Sequence, residues 1–218
     1  MPLAPTHTAS LVDQAIEGMR ALLASGEWTV GTRIPPEPVL GASLGVSRNT
    51  VREAVKALAH VGLLEVRRGD GTYVAAATEM QALMRRQVDR VELAHLLEVR
   101  HAIEVRAAAL AAERRTTEDL AVLDAAVASK RTALAAGDAA GFVAADVAFH
   151  IGVVAAAHNP LLVELYDGLV ETLTASIETP AGPDALEAEH DAVLDAIRAG
   201  DVDAAAVASA VLLEHVAG

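Results

Sequence analysis

Gly45–Val74 reads GVSRNTVREAVKALAHVGLLEVRRGDGTYV. It opens on a glycine turn, and Ser47 stands where a helix N-cap belongs. From there Val51, Val55 and Leu58 recur at helical spacing as an apolar stripe. Arg48 and Arg52 are one helical turn apart and share the other face, with Asn49 and Thr50 in the same first turn. Gly62 breaks the helix just after His60. Leu63–Arg67 and Thr72–Ala75 then read as two short strands around Arg68-Gly69-Asp70-Gly71, a strong hairpin signal. A turn, a cationic helix and a basic hairpin in this order make a winged helix-turn-helix, which presents the start of one helix to base edges in the DNA major groove.

Working upstream, Ser10 caps a helix to about Ala24, with Leu11, Ala15, Ile16, Met19, Leu22 and Leu23 on its apolar face. Gly31-Thr-Arg-Ile-Pro-Pro is a turn, because paired prolines exclude a helix interior. A short helix over about 36–44 follows, closed by Gly45. Residues 1–9 are expected to be disordered, 10–76 to form the winged domain, and 77–84 to be a linker. Downstream the pattern becomes long Ala/Leu-rich helices, with breaks at Thr116-Thr117, Gly137-Asp138, Asn159-Pro160, 179–184 and Gly200-Asp201. Residues 85–218 are therefore expected to be an all-α bundle of about six to seven helices, a second domain for effector binding and dimerisation. The fold class is mainly α: three helices plus a β-hairpin, then the bundle.

Composition agrees. The chain has 218 residues, 53% hydrophobic but only 2% aromatic, so alanine, leucine and valine must build close-packed helices. It has no cysteine, which excludes disulfides and thiolate metal sites. Met1–Ser10 holds Pro2 and Pro5 and lacks a basic start followed by an apolar run, and no window approaches about 18 uninterrupted apolar residues. A cytoplasmic protein without a membrane partner is expected. The net charge of −13 is unevenly placed. Residues 1–76 carry seven Lys/Arg and seven Asp/Glu, and residues 77–218 carry ten and 23. Phosphate repels the acidic half and tolerates the first, so the halves have different partners.

The DNA reading assigns Ser47, Arg48, Asn49, Thr50 and Arg52 to the recognition helix, and Arg68, Gly69 and Gly71 to the wing. Arginine bridges guanine O6 and N7 or pairs with phosphate, and a helix N-terminus attracts phosphate. Ile34-Pro-Pro-Glu, Leu40, Gly45-Val-Ser-Arg-Asn-Thr-Val-Arg-Glu-Ala-Val, Gly62-Leu-Leu and Arg67-Arg-Gly-Asp-Gly-Thr-Tyr-Val resemble the GntR family of bacterial transcription regulators. The resemblance covers about residues 10–75. It implies that Arg48, Arg52 and the wing around Gly69 contact operator DNA. One position departs from the pattern: Pro38 stands where the family usually carries an arginine.

In the second half, Asp146 and His150 are one helical turn apart, His190 opens a later helix and His215 ends the last. An Asp/His pair at this spacing can hold a metal ion with help from other helices, and the donor types suit Zn, Mn, Ni or Fe. Histidines satisfied by neighbouring acids explain the same spacing. Glu98-Val-Arg-His-Ala-Ile-Glu, Asp146-x-x-x-His150, Asn159-Pro-Leu-Leu and the run from Glu189-His190 to Asp201 resemble the FCD effector domain of FadR-type members, over about residues 85–216. That resemblance implies a divalent metal on Asp146, His150 and His190, and a small carboxylate effector beside it. The fourth ligand position falls on Leu212, which cannot ligate, and His215 lies three residues on. This leaves a three-ligand site, a site completed by effector or water, or a lost site. Arg100 is the candidate clamp for the effector carboxylate. Its alternative is an exposed pair with Glu104, worth about 0.3–0.5 kcal/mol.

The function expected is a DNA-binding regulator, a repressor, that reads a palindromic operator as a homodimer under control of a small carboxylate. Two alternatives stand beside it. One is a metal-dependent enzyme using Asp146, His150 and His190, although no general base is paired with a nucleophile. The other is a metal-free regulator whose histidines bind the effector directly.

Overall fold

A computed structural model describes residues 9–88, 91–176 and 183–217 of the chain. Side chains are described except at 88, 171–187 and 215–217. The chain divides into two compact units, Met1–Leu83 and Met84–Gly218. The disorder expected for residues 1–9 falls almost wholly outside the described residues.

The first unit holds α1 (Leu11–Ala24), α2 (Glu37–Leu44), α3 (Arg48–His60), β1 (Leu64–Arg67) and β2 (Gly71–Val74). Local chemistry sets each boundary. Ser10 accepts from the Asp13 amide while the Asp13 carboxylate takes the Ser10 amide, a reciprocal cap. Gly45 ends α2 in the left-handed region at φ 66°, where a Cβ is strained. Two residues on, Ser47 caps α3 by accepting from the Thr50 amide at 3.1 Å. The strands pair antiparallel from Leu64–Val74 to Arg67–Gly71. Ala15, Met19, Leu23, Leu40, Val51, Val55, Leu58, Leu64 and Val74 bury one core among these elements. The linker expected over 77–84 is largely helix: α4 (Glu79–Val88) runs across the boundary between the units. Thr78 and Gln81 stabilise its start, Gln81 accepting from the Ala77 amide at 2.8 Å.

The second unit is a helical bundle: α5 (Leu93–Arg114), α6 (Thr117–Ala136), α7 (Ala139–Ala156), α8 (Pro160–Ser176), α9 (Pro183–Ala199) and α10 (Val202–Ala217). Thr116 and Asp119 form a second reciprocal cap, and Asp138 caps α7. The break expected at 179–184 lies mostly outside the described residues. Ala108, Ala111, Ala112, Leu123, Phe149, Val153, Ile197 and Leu212 make the main core. Alanine-rich faces let helices approach closely, and α7 packs on α5, α6 and α8. By length and mean hydropathy α7 alone among the described helices is long and apolar enough to cross a membrane, although Asp146 and His150 interrupt its apolar run. Its apolarity belongs to a bundle centre, since Phe149, Val153, Val154 and Ala156 are all buried.

At Gly152 an added Cβ would stand 2.9 Å from Leu123 Cδ2. Replacing Gly152 with Val should therefore overpack the α6–α7 contact and destabilise the helical unit by about 1–3 kcal/mol, read as a lower urea midpoint.

Candidate DNA interface and buried charge cluster

The cap at Ser47 starts α3 with its first turn in solvent. Arg48, Asn49 and Arg52 are exposed, whereas Val51, Val55 and Leu58 are buried. Ser47 is committed to the cap, and its Oγ lies 2.9 Å from Thr50 Oγ1. Both hydroxyls thus position the helix. Arg48 and Asn49 have no hydrogen bond or ion pair among the described residues and present free polar groups. Arg52 is held differently. Its Nε and Nη2 donate to the two oxygens of Glu37 at 3.1 and 2.8 Å, a fork on the first residue of α2. That bond lowers the Glu37 pKa and raises that of Arg52. Glu37 therefore aims Arg52, a link between α2 and α3 that sequence spacing did not show. Pro38 sits in the first turn of α2, where its missing N–H costs no helical bond.

At the wing, Gly69 is exposed at φ 77° and Arg68 is exposed beside it. Arg67 is engaged: it pairs with Glu65 at 2.9 Å and stacks over Tyr73, 4.1 Å from the ring centroid. Gly71 has an internal purpose. At φ 143°, a Cβ there would come within 2.4 Å of the Arg33 guanidinium. Arg33, Arg67, Arg68 and Glu37 line one groove of about 390 Å³ between α2 and the hairpin. Arg33 is a cation the sequence reading missed, because it lies in a turn with no helical period.

The second unit buries charge. Asp146 and His150 on α7 and His190 on α9 bring ligand-type atoms within 4.8 Å of one another. His190 Nε2 lies 3.0 Å from Asp146 Oδ1, and His150 Nε2 lies 3.8 Å from Asp146 Oδ2. His215 is on α10, but its side chain lies outside the described residues. Leu212 is 1% exposed and packed in the core.

Two neighbours were not singled out as part of this site from the sequence. Lys130 of α6 is 2% exposed. Its Nζ stands 2.6 Å from Asp146 Oδ1 and 3.1 and 3.0 Å from the two ring nitrogens of His190. Glu104 of α5 takes His150 Nδ1 at 2.6 Å, Arg100 Nε at 2.5 Å and the Tyr166 hydroxyl at 2.5 Å. Arg100 is thus paired with Glu104 at one helical turn, but the pair is buried rather than on the surface. Burial opposes ionisation of Glu104, yet the charge and hydrogen bond of His150, then those of Arg100, bring its pKa down to about 2. Asp146 is also held far below the carboxylate range. Burial works against this, and the His190 hydrogen bond with the His150, Lys130 and His190 charges outweighs it. For His190, burial leads a shift downward that Asp146 only partly reverses.

Donor chemistry tests the metal expectation. His150 Nε2 is buried without a hydrogen-bond partner among the described residues. With Nδ1 on Glu104, a neutral ring leaves a lone pair there, as a ligand should. Against this, Asp146 Oδ1 is already shared by Lys130 and His190. A lysine ammonium is in contact with two of the three donors, and the implied fourth position is a core leucine. As arranged, these residues do not fit a divalent ion.

Two family models match the chain: bacterial regulatory proteins of the gntR family over residues 11–74, and the FCD domain over residues 95–216. The chain belongs to the GntR family, with an FCD domain. It is similar to a provisionally named L-lactate dehydrogenase operon regulatory protein of Escherichia coli, 33% identical over 89% of this chain and 80% of that protein. It also resembles the galactonate operon transcriptional repressor of Escherichia coli, at 29% identity over 94% of this chain and 95% of that one. A solved GntR protein of Streptococcus agalactiae matches 94% of this chain and 98% of its own, with TM-score 0.64 and 29% identity. This chain is a DNA-binding transcription regulator of GntR/FCD type and not an enzyme. Its first domain implies operator DNA as a partner and its second a small-molecule effector.

Replacing Glu104 with Gln leaves Arg100 and His150 without their anion and should cost about 3–5 kcal/mol of stability at neutral pH. Because the folded pKa of about 2 lies below the ordinary 4.5, the Glu104 contribution is full above pH 4.5 and fades as pH falls towards 2. The gap between wild-type and Glu104→Gln urea midpoints should narrow over that window.

Proposed function

We propose that this regulator is a cytoplasmic repressor that binds a palindromic operator as a homodimer and responds to a small hydroxy-carboxylate. The observation that carries the DNA reading is the capped start of α3, where Arg48 and Asn49 are exposed and unpaired beside a fork-held Arg52 and a basic hairpin. One recognition helix reads only a short half-site, so two copies are needed for a specific operator. Arg68 and the Gly69 tip are assigned to the flanking groove or backbone. Ser47 and Thr50 hold the helix start, and Gly71 makes room for Arg33.

For the effector, Arg100 supports the reading. It lines a cavity of about 430 Å³ with Ala94, Leu97, Glu98, His101, Leu213 and Glu214. A guanidinium anchored on one side by Glu104 is a preorganised clamp for a carboxylate. Relatives are named for L-lactate and galactonate operons, and both acids carry hydroxyl groups beside a carboxylate. An effector that weakens operator binding is itself bound less tightly by the DNA complex.

Replacing Arg48 with Ala removes an exposed, unpaired side chain, so thermal stability should hold. Operator affinity should fall by about 5–150-fold, the weight of about 1–3 kcal/mol for one arginine–guanine contact. Fluorescence anisotropy at stated salt against operator and random DNA measures this. Unchanged operator affinity would remove α3 as the reading helix.

A further inference from the structure

We propose that Lys130 is the resident cation of the Asp146–His150–His190 cluster, standing in for a divalent metal and keeping metal out. Three observations carry this. Its ammonium is buried and contacts two of the three ligand-type side chains, at 2.6 Å from Asp146 and 3.0–3.1 Å from His190. The Phe142 ring, 4.8 Å from Nζ to centroid, covers it further. The charges of the paired side chains then balance, Arg100 against Glu104 and Lys130 against Asp146. A divalent ion added beside Lys130 would leave two uncompensated positive charges in a buried site, which a protein interior does not tolerate. Finally, Leu212 replaces with core packing what would be a fourth donor, so no extra ligand rewards expulsion of the lysine.

The physical role is the same with either cation. A positive charge at this point clamps α6, α7 and α9 together through Asp146 and His190. A lysine does so without depending on metal supply or chelators. The lone pair on His150 Nε2 remains from the donor set, which predicts that the site regains metal once the ammonium is removed.

The test is metal content and metal titration of the full-length chain, purified without a histidine tag or chelator. Wild type should carry zinc, nickel and manganese only at the level of a His150→Ala/His190→Ala control, by plasma mass spectrometry. Cobalt(II) should give it no ligand-field absorption. Lys130→Met should take up one cobalt or zinc per chain, and Lys130→Met/Leu212→His should bind it more tightly. Circular dichroism confirms that each variant is folded. If Lys130→Met does not fold, Lys130→Gln carries the same readout. One equivalent of metal in wild type, lost in the histidine control, overturns the proposal without reference to any lysine variant. A folded Lys130 variant that gains no metal overturns it as well.

The inference rests on the regulator reading only in its consequence, that chelator leaves operator binding unchanged. Operator binding with and without chelator is therefore measured beside the metal assays. No specific DNA binding in either condition would count against the regulator reading and leave the metal result standing. Binding lost only with chelator would count against Lys130 as the resident cation.

Discussion

Buried charge has to be answered by buried charge, and the helical unit is organised around that requirement. Arg100, Glu104, Lys130, His150 and His190 are all withdrawn from water, on four different helices. Each would be costly alone. Glu104 answers Arg100 and His150, from both of which it accepts, and it takes the Tyr166 hydroxyl as well. Asp146 resolves two more by joining Lys130 to His190. An interior of alanine, leucine and valine packs adaptably, since many helix offsets bury similar area. The polar contacts accept one arrangement, so they set the register of α5, α6, α7, α8 and α9.

The DNA-binding unit follows a different logic, that of local chain geometry. Gly45 ends α2, Ser47 starts α3 two residues later, and the helix axis is turned within that span. The apolar stripe of α3 then faces α1 and α2, which leaves Arg48 and Asn49 in solvent. The Glu37–Arg52 fork ties the two helices once more, on the polar side. In water an exposed pair of this kind contributes little to stability. Its effect is orientation: it fixes a long side chain that would otherwise sample many rotamers.

Much of this was legible in the chain itself. The bounds of α1, α2, α3 and the hairpin follow from Ser10, Gly45, Ser47, Gly62 and the Arg68–Gly71 turn, because caps and turns are set by residues a few positions apart. The helix breaks at Thr116, Asp138, Asn159 and Gly200 follow for the same reason. Asp146, His150 and His190 could be grouped from spacing and resemblance. Helix α4 was not legible, since Thr78 and Gln81 give a weaker start signal than the paired caps elsewhere. The membrane-like composition of α7 was masked in a sequence reading by Asp146 and His150.

Apart from α4, the sequence by itself determined which segments are helical, about where they start and stop, which faces are apolar, and that charge divides between the halves. Those properties depend on neighbours within one or two turns. Only the tertiary structure decided that Arg52 is held by Glu37, that Gly71 yields space to Arg33, and that Lys130 reaches Asp146 and His190 of a metal-like donor set. Lys130 is 16 residues from Asp146 and 60 from His190. No periodicity connects such positions. They meet because three helices pack together, and packing is settled by the sum of all their faces rather than by any local run of residues.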